Sequence, residues 1–471
     1  MSCRTSSGIL TDIDPGSVSA ETLDLCRTIG ERGGRAYLVG GSVRDLLLAR
    51  RPKDVDIEVY GIAVGDIEAI LTSLGKVELV GKQFGVFKLW RHGHELDIAL
   101  PRTERKTEQG HRGFDVVPDP MIPPEVAALR RDFTINAMMY DPLTHELFDF
   151  HGGRGDLESG TLRHVSPAFA EDPLRVLRGM QFAARFGLTL HPETADLCRA
   201  LLPEAATLPA SRIWIEWQKW CHAPLPSYGL KVLEQGNWIT LYPELEAMLD
   251  CPQDPRWHPE GDVWTHTLQV VDRAAEIALR YGWDGELREQ MLLAALCHDM
   301  GKPVCTFADD RGIVRSPGHS HEGTADSERF LLKIAAPKKH IPYVLPLVRE
   351  HMTHMHGEPT AKAVRHLANR LTPATVELWE ALVEADASGR APAPASRPAE
   401  EWLARAQEQQ SHRQTPQPIV TGKMLAPLGV TAGPGMGKLI RLAYKAQLDG
   451  DITDELSARA WLDRHIDASD Y

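Results

Sequence analysis

The chain's 471 residues exceed what one hydrophobic core can serve and divide into roughly two to four domains. Hydrophobic content of 43% with 25% charged residues is that of a globular protein, and no apolar run reaches the roughly 18 residues of a membrane span. A net charge of −13 argues against indiscriminate nucleic-acid binding, because phosphate contacts come from Lys and Arg.

In chain order, Met1 to Ser7 lacks the apolar core of a signal peptide. Ala36 to Val39 reads as a strand, Gly40-Gly41 as a tight turn, and Ser42 to Leu48 as a helix start that Ser42 can cap, with Asp45 three residues on. A Gly-rich turn feeding a helix N-terminus presents free N–H groups to a phosphate, and Arg44 adds a charged donor. Asp54 and Asp56 follow, in Lys53-Asp54-Val55-Asp56-Ile57-Glu58-Val59. On a strand, residues i and i+2 share a face, so the two carboxylates project side by side and can hold Mg²⁺ together with substrate phosphates. A lone Asp-x-Asp is more often a solvated strand face, and a lone Gly-Gly a plain turn. Their succession in one short segment points to a nucleoside triphosphate with its metal.

A helix from Asp66 to Leu74, strands at Gly85–Trp90 and His94–Leu100, and a helix entered by Arg130-Arg131-Asp132 extend residues 31–155 as an α/β head. Asp97 is the candidate third carboxylate from a neighbouring strand. Positive charge gathers at Arg102, Arg105, Lys106 and Arg112, at Arg130 and Arg131, and at Arg175, Arg178 and Arg185; any one cluster is ordinarily a solvated face, and acidic surface elsewhere would confine RNA to one groove. Residues 156–250 turn helical. There Asp172 and Arg175 lie three apart on a predicted helix, so one carboxylate and one guanidinium can match the edge of a base; the generic alternative is a surface ion pair of ~0.3 kcal/mol.

Residues 251–390 stay helical and become histidine-rich. His266, the His298-Asp299 doublet and Asp386 form a set suited to a divalent transition metal that activates water for phosphoester hydrolysis. His319, His321, His351 and His354 rank behind them as further metal or phosphate ligands. Ala391 to Pro398 reads as an extended linker, followed by a helix from Ala399 to Gln410 and a helical tail through residue 471. Seven cysteines (Cys3, Cys26, Cys198, Cys221, Cys251, Cys297, Cys305) without a Cys-x-x-Cys indicate neither a disulfide framework nor a zinc knuckle, and suit the reducing cytoplasm.

The segments LVGGSVRDLLL (38–48), KDVDIEV (53–59), RRDFTINAMMYDP (130–142), DFHGGRGDLESGTLRHV (149–165) and EDPLRVLRGMQFAARF (171–186) resemble, in this order, the class II tRNA nucleotidyltransferases and bacterial poly(A) polymerases. The resemblance implies a polymerase-β-like nucleotidyltransferase head of α/β fold, an all-α neck and body, and an all-α HD domain. It implies Asp54 and Asp56 as catalytic Mg²⁺ ligands, with Gly41, Arg44, Arg131, Asp172, Arg175 and Arg178 binding the nucleotide. In the family, the side chains matching Asp172 and Arg175 select CTP or ATP by mimicking base pairing without a template. Gln181 departs from the pattern, since family members often carry arginine there. The loop Pro101–Pro118 matches in position the flexible loop that switches C to A addition, which argues against a C-only enzyme.

WHPEGDVWTHT (257–267) and the four HD residues resemble long bacterial tRNA nucleotidyltransferases carrying an HD phosphohydrolase domain. That implies phosphatase or 2′,3′-cyclic phosphodiesterase activity with Ni²⁺, Mn²⁺ or Mg²⁺ on His266, His298, Asp299 and Asp386. The expected function is CCA addition to the tRNA 3′ end from CTP and ATP, in the cytoplasm and with no membrane partner. Alternatives are an A-adding enzyme or poly(A) polymerase, a protein uridylyltransferase with an HD domain, and an inactive RNA-binding scaffold. The uridylyltransferases would be longer and lack the Glu171–Arg175 segment; the scaffold would leave the metal carboxylates idle. Oligomeric state has no signal in the sequence.

Overall fold

The computed structural model describes residues 12–52, 54–79, 85–106, 114–390 and 392–466. They fall into two compact units, the first ending at Leu241 and the second starting at Tyr242.

The first unit is built on a seven-stranded mixed sheet. Its strands come from β1 (Arg35–Val39), β2 (Asp56–Tyr60), β3 (Lys76–Leu79), β4 (Val86–Arg91), β5 (His94–Ala99), β8 (Met139–Asp141) and β9 (Glu146–Phe148). The order is β3-β4-β5-β2-β1-β8-β9, with β2 and β5 parallel and every other pair antiparallel. Between β5 and β8 a separate hairpin joins β6 (Arg102–Lys106) to β7 (Phe114–Pro118). Its tip, including His111 and Arg112 of the expected switching loop, lies outside the described residues, as do Met1–Thr11, Lys53 and Ala391.

Alternation decides which face of the sheet carries chemistry. Ile57 and Val59 of β2, Phe87 and Leu89 of β4, and Leu96 and Ile98 of β5 pack against Leu25 and Ile29 of the helix Ala20–Glu31. Ile67, Ile70 and Leu71 of the helix Val64–Leu74 complete that layer. Burying each such side chain is worth ~1.5–3 kcal/mol. A one-residue slip of β2 would drive Asp56 and Glu58 into this layer, so hydrophobic burial fixes the register that turns the acids outward.

The helix expected at Arg130–Tyr140 does not form. Phe133 bridges to His164, Thr134–Asn136 makes one 3₁₀ turn, and the chain enters β8, where Tyr140 and Met139 pair with Leu38 and Val39. Phe133, Ile135, Ala137, Met138, Met139 and Tyr140 are all buried, so the segment has no polar face to offer a surface helix, and the free edge of β1 takes its backbone bonds.

Downstream, the helices Leu174–Phe186, Pro192–Ala200, Ala210–Cys221 and Pro226–Gln235 enclose Trp217, Trp220 and Trp238. Gly229 permits the close crossing: a Cβ there would lie 2.6 Å from the Met180 carbonyl oxygen.

The second unit is helical, with Val263–Arg280, Gly285–Cys297, His319–Lys333, Ile341–Glu350, Ala361–Leu371 and Val376–Ser388 as its main elements. Met291 to Cys297 are buried on every side, which explains the apolar run before His298. The linker is pinned at one point: Arg397 donates to Tyr281 Oη at 3.2 Å and to Glu380 at 3.4 Å. The helix Glu400–Glu408 follows, and the helices Pro434–Asp449 and Glu455–His465 close a small core around Leu439 and Trp461. No described helix is long and apolar enough to cross a membrane.

Candidate active sites

One cavity of about 840 Å³ in the first unit is lined by Gly40, Gly41, Arg44, Asp54, Asp56, Arg131, Asp172, Arg175 and Arg178, all but Gly40 expected from the sequence. Ser42 does not cap its helix. The helix Gly41–Leu47 starts from Gly40 without a side-chain cap, and Ser42 Oγ instead accepts from the Asp56 amide at 3.0 Å and donates to the Asp54 carbonyl at 3.4 Å. Already inside the first turn, Ser42 stands past the position from which a hydroxyl reaches the orphan amides. Asp54 lies in the bend before β2, so strand alternation is not what pairs the acids; Ser42 stitches their backbone segment instead. Gly40 has φ +68°, and a Cβ on it would meet Arg131 Nη1 at 2.9 Å.

Burial in the cleft raises the Asp56 carboxyl above its ordinary range, with Asp97 and Asp54 adding to the shift and Arg131 opposing it. A group crowded by two other acids gains from a cation, so these residues fit a divalent metal. Asp97 stands in register beside Asp56, but its carboxylate pairs with Lys88 at 3.2 Å and it does not line the cavity.

The arginines are individually anchored. Arg44 is buried, donates to Asp45 (Nη2, 2.8 Å) and Asn136, and lies 4.3 Å from the Phe186 ring centroid. Arg178 holds Asp132 through Nε (2.8 Å) and Nη2 (2.6 Å). Burial alone would raise the Asp132 carboxyl, and Arg178 with Asn136 outweighs it, leaving the group lowered. Arg131 Nη2 lies 3.6 Å from Glu58.

Asp172 and Arg175 do not share a helix face. The helix begins at Leu174, after Pro173, and Asp172 precedes it, accepting from the Leu174 amide at 3.0 Å and from Arg212 Nη2 at 2.9 Å. Arg175 donates to the carbonyls of Ala168 (2.7 Å) and Arg130 (2.8 Å). Arg212, Lys219 and His222 also line the cavity and are absent from the sequence expectation. The available signal was slight: Arg212 and Lys219 are seven apart, on one face of the helix Ala210–Cys221. Gln181 is buried and accepts from Arg185, which does reach the cavity.

In the second unit His266, His298 and Asp299 are sealed from solvent and Asp386 is half-buried. Four imidazoles have Nδ1 engaged: His298 with Ala295 O (2.8 Å), His319 with Ser316 O (2.8 Å), His351 with Val348 O (2.7 Å) and His266 with Glu260 (2.8 Å). In His298, His319 and His351 donation from Nδ1 to a carbonyl leaves Nε2 as a lone pair, the state a metal requires, whereas His266 sits between two carboxylates and a metal there displaces its proton. The Nε2 atoms of His266 and His298 lie 3.1 and 3.9 Å from Asp386 Oδ1, and 3.9 and 3.2 Å from Asp299 Oδ2. Those of His319 and His351 lie 3.2 Å apart and 3.3 and 3.9 Å from Asp299 Oδ1. Two facing lone pairs at that distance repel unless a cation or proton lies between them.

Asp299 thus stands between two histidine pairs, and this donor set fits divalent metal. Lys302 Nζ steadies it at 2.6 Å. Burial would lower His266, but Asp386 and Glu260 push it up to about 9, whereas burial drives His351 down to about 3. His319 and His351, ranked behind the four from sequence, join them here; His354 lines a second cavity, of about 490 Å³, with Asp299, His319, His351 and Asp386, and His321 is exposed and not among its lining residues.

Residues 36–163 match the poly A polymerase head domain and residues 263–390 the HD domain. The multifunctional CCA protein of Halorhodospira halophila is 39% identical over 353 residues, covering 74% of this chain and 78% of that protein. The chain belongs to the multifunctional CCA protein family. The Xylella fastidiosa multifunctional CCA protein is 36% identical over 367 residues, covering 76% of this chain and 84% of its own.

Among solved structures, the Bacillus stearothermophilus CCA-adding enzyme in complex with CTP shares the fold at a TM-score of 0.63 and 22% identity, over 94% of this chain and 96% of that one. The Thermotoga maritima CCA-adding enzyme complexed with tRNA_CCA does so at 0.60 and 19%, over 97% and 99%. In this CCA protein family member the head match contains Asp54, Asp56 and Arg131, and the HD match contains His266, His298, Asp299, His319, His351 and Asp386. Both kinds of domain are metal-dependent.

Proposed function

We propose that the chain adds C and A nucleotides, without a template, to the 3′ end of tRNA from CTP and ATP in the cytoplasm, and that its HD centre hydrolyses phosphomonoesters or 2′,3′-cyclic phosphates. The observation that carries the first activity is the shared cavity: the Asp54–Asp56 pair and the Asp172–Arg175 edge line one space. Asp54 and Asp56 hold Mg²⁺, which when bound activates the 3′-hydroxyl and steadies the leaving pyrophosphate. Gly41, Arg44, Arg131 and Arg178 receive the triphosphate.

Asp172 and Arg175 meet the base. Arg212 braces Asp172, and two backbone carbonyls brace Arg175, which fixes both side chains at the cavity wall. At the HD centre His266, His298, Asp299 and Asp386 hold a divalent ion (Ni²⁺, Mn²⁺ or Mg²⁺), and Asp299 with His319 and His351 offers a second position.

The test is incubation with tRNA transcripts ending before CCA, after C and after CC, with each labelled NTP supplied separately. CCA addition gives C on the first two and A on the third. An A-adding enzyme or poly(A) polymerase, the second reading because Gln181 stands where relatives often have arginine, would incorporate only A.

A further inference from the structure

We propose that Glu260 is a positioning residue of the HD centre, whose carboxylate holds the His266 ring so that Nε2 faces the ion. The inference rests on the HD reading above and adds nothing to the ligand set. Glu260 Oε1 lies 2.8 Å from His266 Nδ1 and 2.9 Å from His258 Nδ1. The two rings meet edge to face, with centroids 4.7 Å apart.

His266 needs an acceptor of this kind because the backbone cannot supply one. Each of the other three imidazoles uses the carbonyl three residues before it, Ala295 for His298, Ser316 for His319 and Val348 for His351. Those carbonyls lie in the last turn of a helix or ahead of a helix start, where intrahelical partners run out. His266 stands inside the helix Val263–Arg280, and the carbonyl three residues before it, that of Val263, already accepts from the Thr267 hydroxyl at 2.8 Å. Its acceptor has to come from outside the helix, and Glu260 supplies it.

The contact matters because Asp386 Oδ1 stands 3.1 Å from His266 Nε2 on the other side of the ring. With Nδ1–H committed to Glu260, an ion displaces only the proton on Nε2 and the ring keeps its orientation. The fold gives Glu260 no other task. Its side chain is 3% exposed, and among the described residues its ion-pair partners are the two imidazoles and its Oε2 has no hydrogen-bond partner. A buried carboxylate with so few donors costs stability, which a role toward the ion accounts for.

The loop is tied to the same cluster. Gln253 Nε2 donates to the carbonyls of Gly261 (3.3 Å) and Asp262 (3.1 Å), and Gln253 Oε1 accepts at 2.7 Å from Lys302, the lysine that steadies Asp299. Asp262 caps the helix of His266 by accepting from the Thr265 amide at 2.8 Å.

The experiment titrates Ni²⁺ alone into the full-length chain carrying Asp54→Ala, so that the head's acid pair does not compete. Glu260→Ala should raise the Kd for Ni²⁺ by roughly 10–100-fold, the range for losing the carboxylate behind a metal-bound histidine. Glu260→Met, which keeps length and removes the buried charge, should lose as much and fold at least as well. Glu260→Gln, whose amide oxygen still accepts from Nδ1–H, should recover most of the affinity. Hydrolysis should follow the metal: in Glu260→Met the Ni²⁺ concentration for half-maximal activity rises by the same factor, and saturating Ni²⁺ restores most of kcat.

A merely structural Glu260 would lower the melting temperature of the metal-free protein without moving Kd, so an unchanged Kd in Glu260→Met overturns the proposal. A loss in Glu260→Gln equal to that in Glu260→Met also overturns it, because charge rather than the hydrogen bond would then be what the ion needs. Failure of the Asp54→Ala chain to bind Ni²⁺, or binding that His298→Ala leaves unchanged, overturns the HD reading and the role of Glu260 with it.

Discussion

In the head, Asp54 and Asp56 stand open to a cavity walled by arginines, whereas in the second unit His266 and His298 are fully buried and Asp299, nearly so, meets a cavity only at its edge. The open site ties Arg44 to Asp45 and Arg178 to Asp132, so that a polyanion can come and go without leaving either cation stranded. The second site covers most of its side-chain surface and commits the Nδ1 of His298, His319 and His351 to backbone carbonyls, which turns their Nε2 lone pairs toward one carboxylate at the edge of a cavity. Transient substrate binding favours the first arrangement. Permanent metal holding favours the second, because a buried ligand set gains most from its ion.

The sharpest way to break this contrast is at the carboxylates. Asp54→Ala or Asp56→Ala should cut nucleotide incorporation by roughly 10³-fold or more while leaving phosphoester hydrolysis in place, since a lost metal ligand removes charge stabilisation that no neighbour replaces. Incorporation near the wild-type rate by either variant would end the assignment.

Next in size is the reverse experiment. His298→Ala should lose bound metal and at least roughly 100-fold in hydrolysis, with nucleotide addition unaffected. Metal content, hydrolysis and melting temperature measured on one sample separate this from a packing defect, which would lower only the last.

The two regions differed as much in legibility as in chemistry. The head's phosphate turn and acid pair sit in one segment, residues 40–56, so local spacing exposes them. Asp172 was also visible, but its true partner Arg212 is 40 residues away and meets it only through folding. The apolar periodicity of 130–140 suggested a helix because sequence alone does not show that β1 has a free edge there. In the second unit the His298-Asp299 doublet announced itself. His319 and His351 were named but ranked behind it, together with His321 and His354, because convergence on Asp299 comes from the N-terminal end of one helix and the C-terminal end of another.

A smaller effect tests how the head reads a base. Asp172→Ala should shrink discrimination among CTP, ATP, UTP and GTP by ~1–3 kcal/mol, the range for losing one base-edge contact. Arg212→Ala should move it in the same direction by less, because Asp172 remains but loses its 2.9 Å anchor. Unaltered incorporation ratios in both variants would remove the base-reading role from this edge.

The smallest expected effect concerns what sealing costs the second unit away from its metal-type cluster. Glu380 has no exposed surface, and among the described residues its Oε1 has no hydrogen-bond partner and its one ion pair is with Arg397 at 3.4 Å. Burial pushes its carboxyl up to about 7, with Arg397 and Arg280 opposing and Glu384 adding. Between its ordinary value of 4.5 and about 7 the folded protein therefore keeps a proton that the unfolded chain has released. Raising the pH through this window lowers stability, because the state that binds fewer protons is the unfolded one. Glu380→Gln carries the neutral form permanently and can still accept from Arg397, so it should match the wild type at pH 5 and exceed it at pH 8. The gain should be on the order of 1 kcal/mol, less than the full shift because the two arginines relax around the charge. Denaturant melts at both pH values check it: an equal difference at pH 5 and pH 8 would mean that Glu380 is ionised throughout, and that the sealed unit tolerates a buried charge as readily as the open head does.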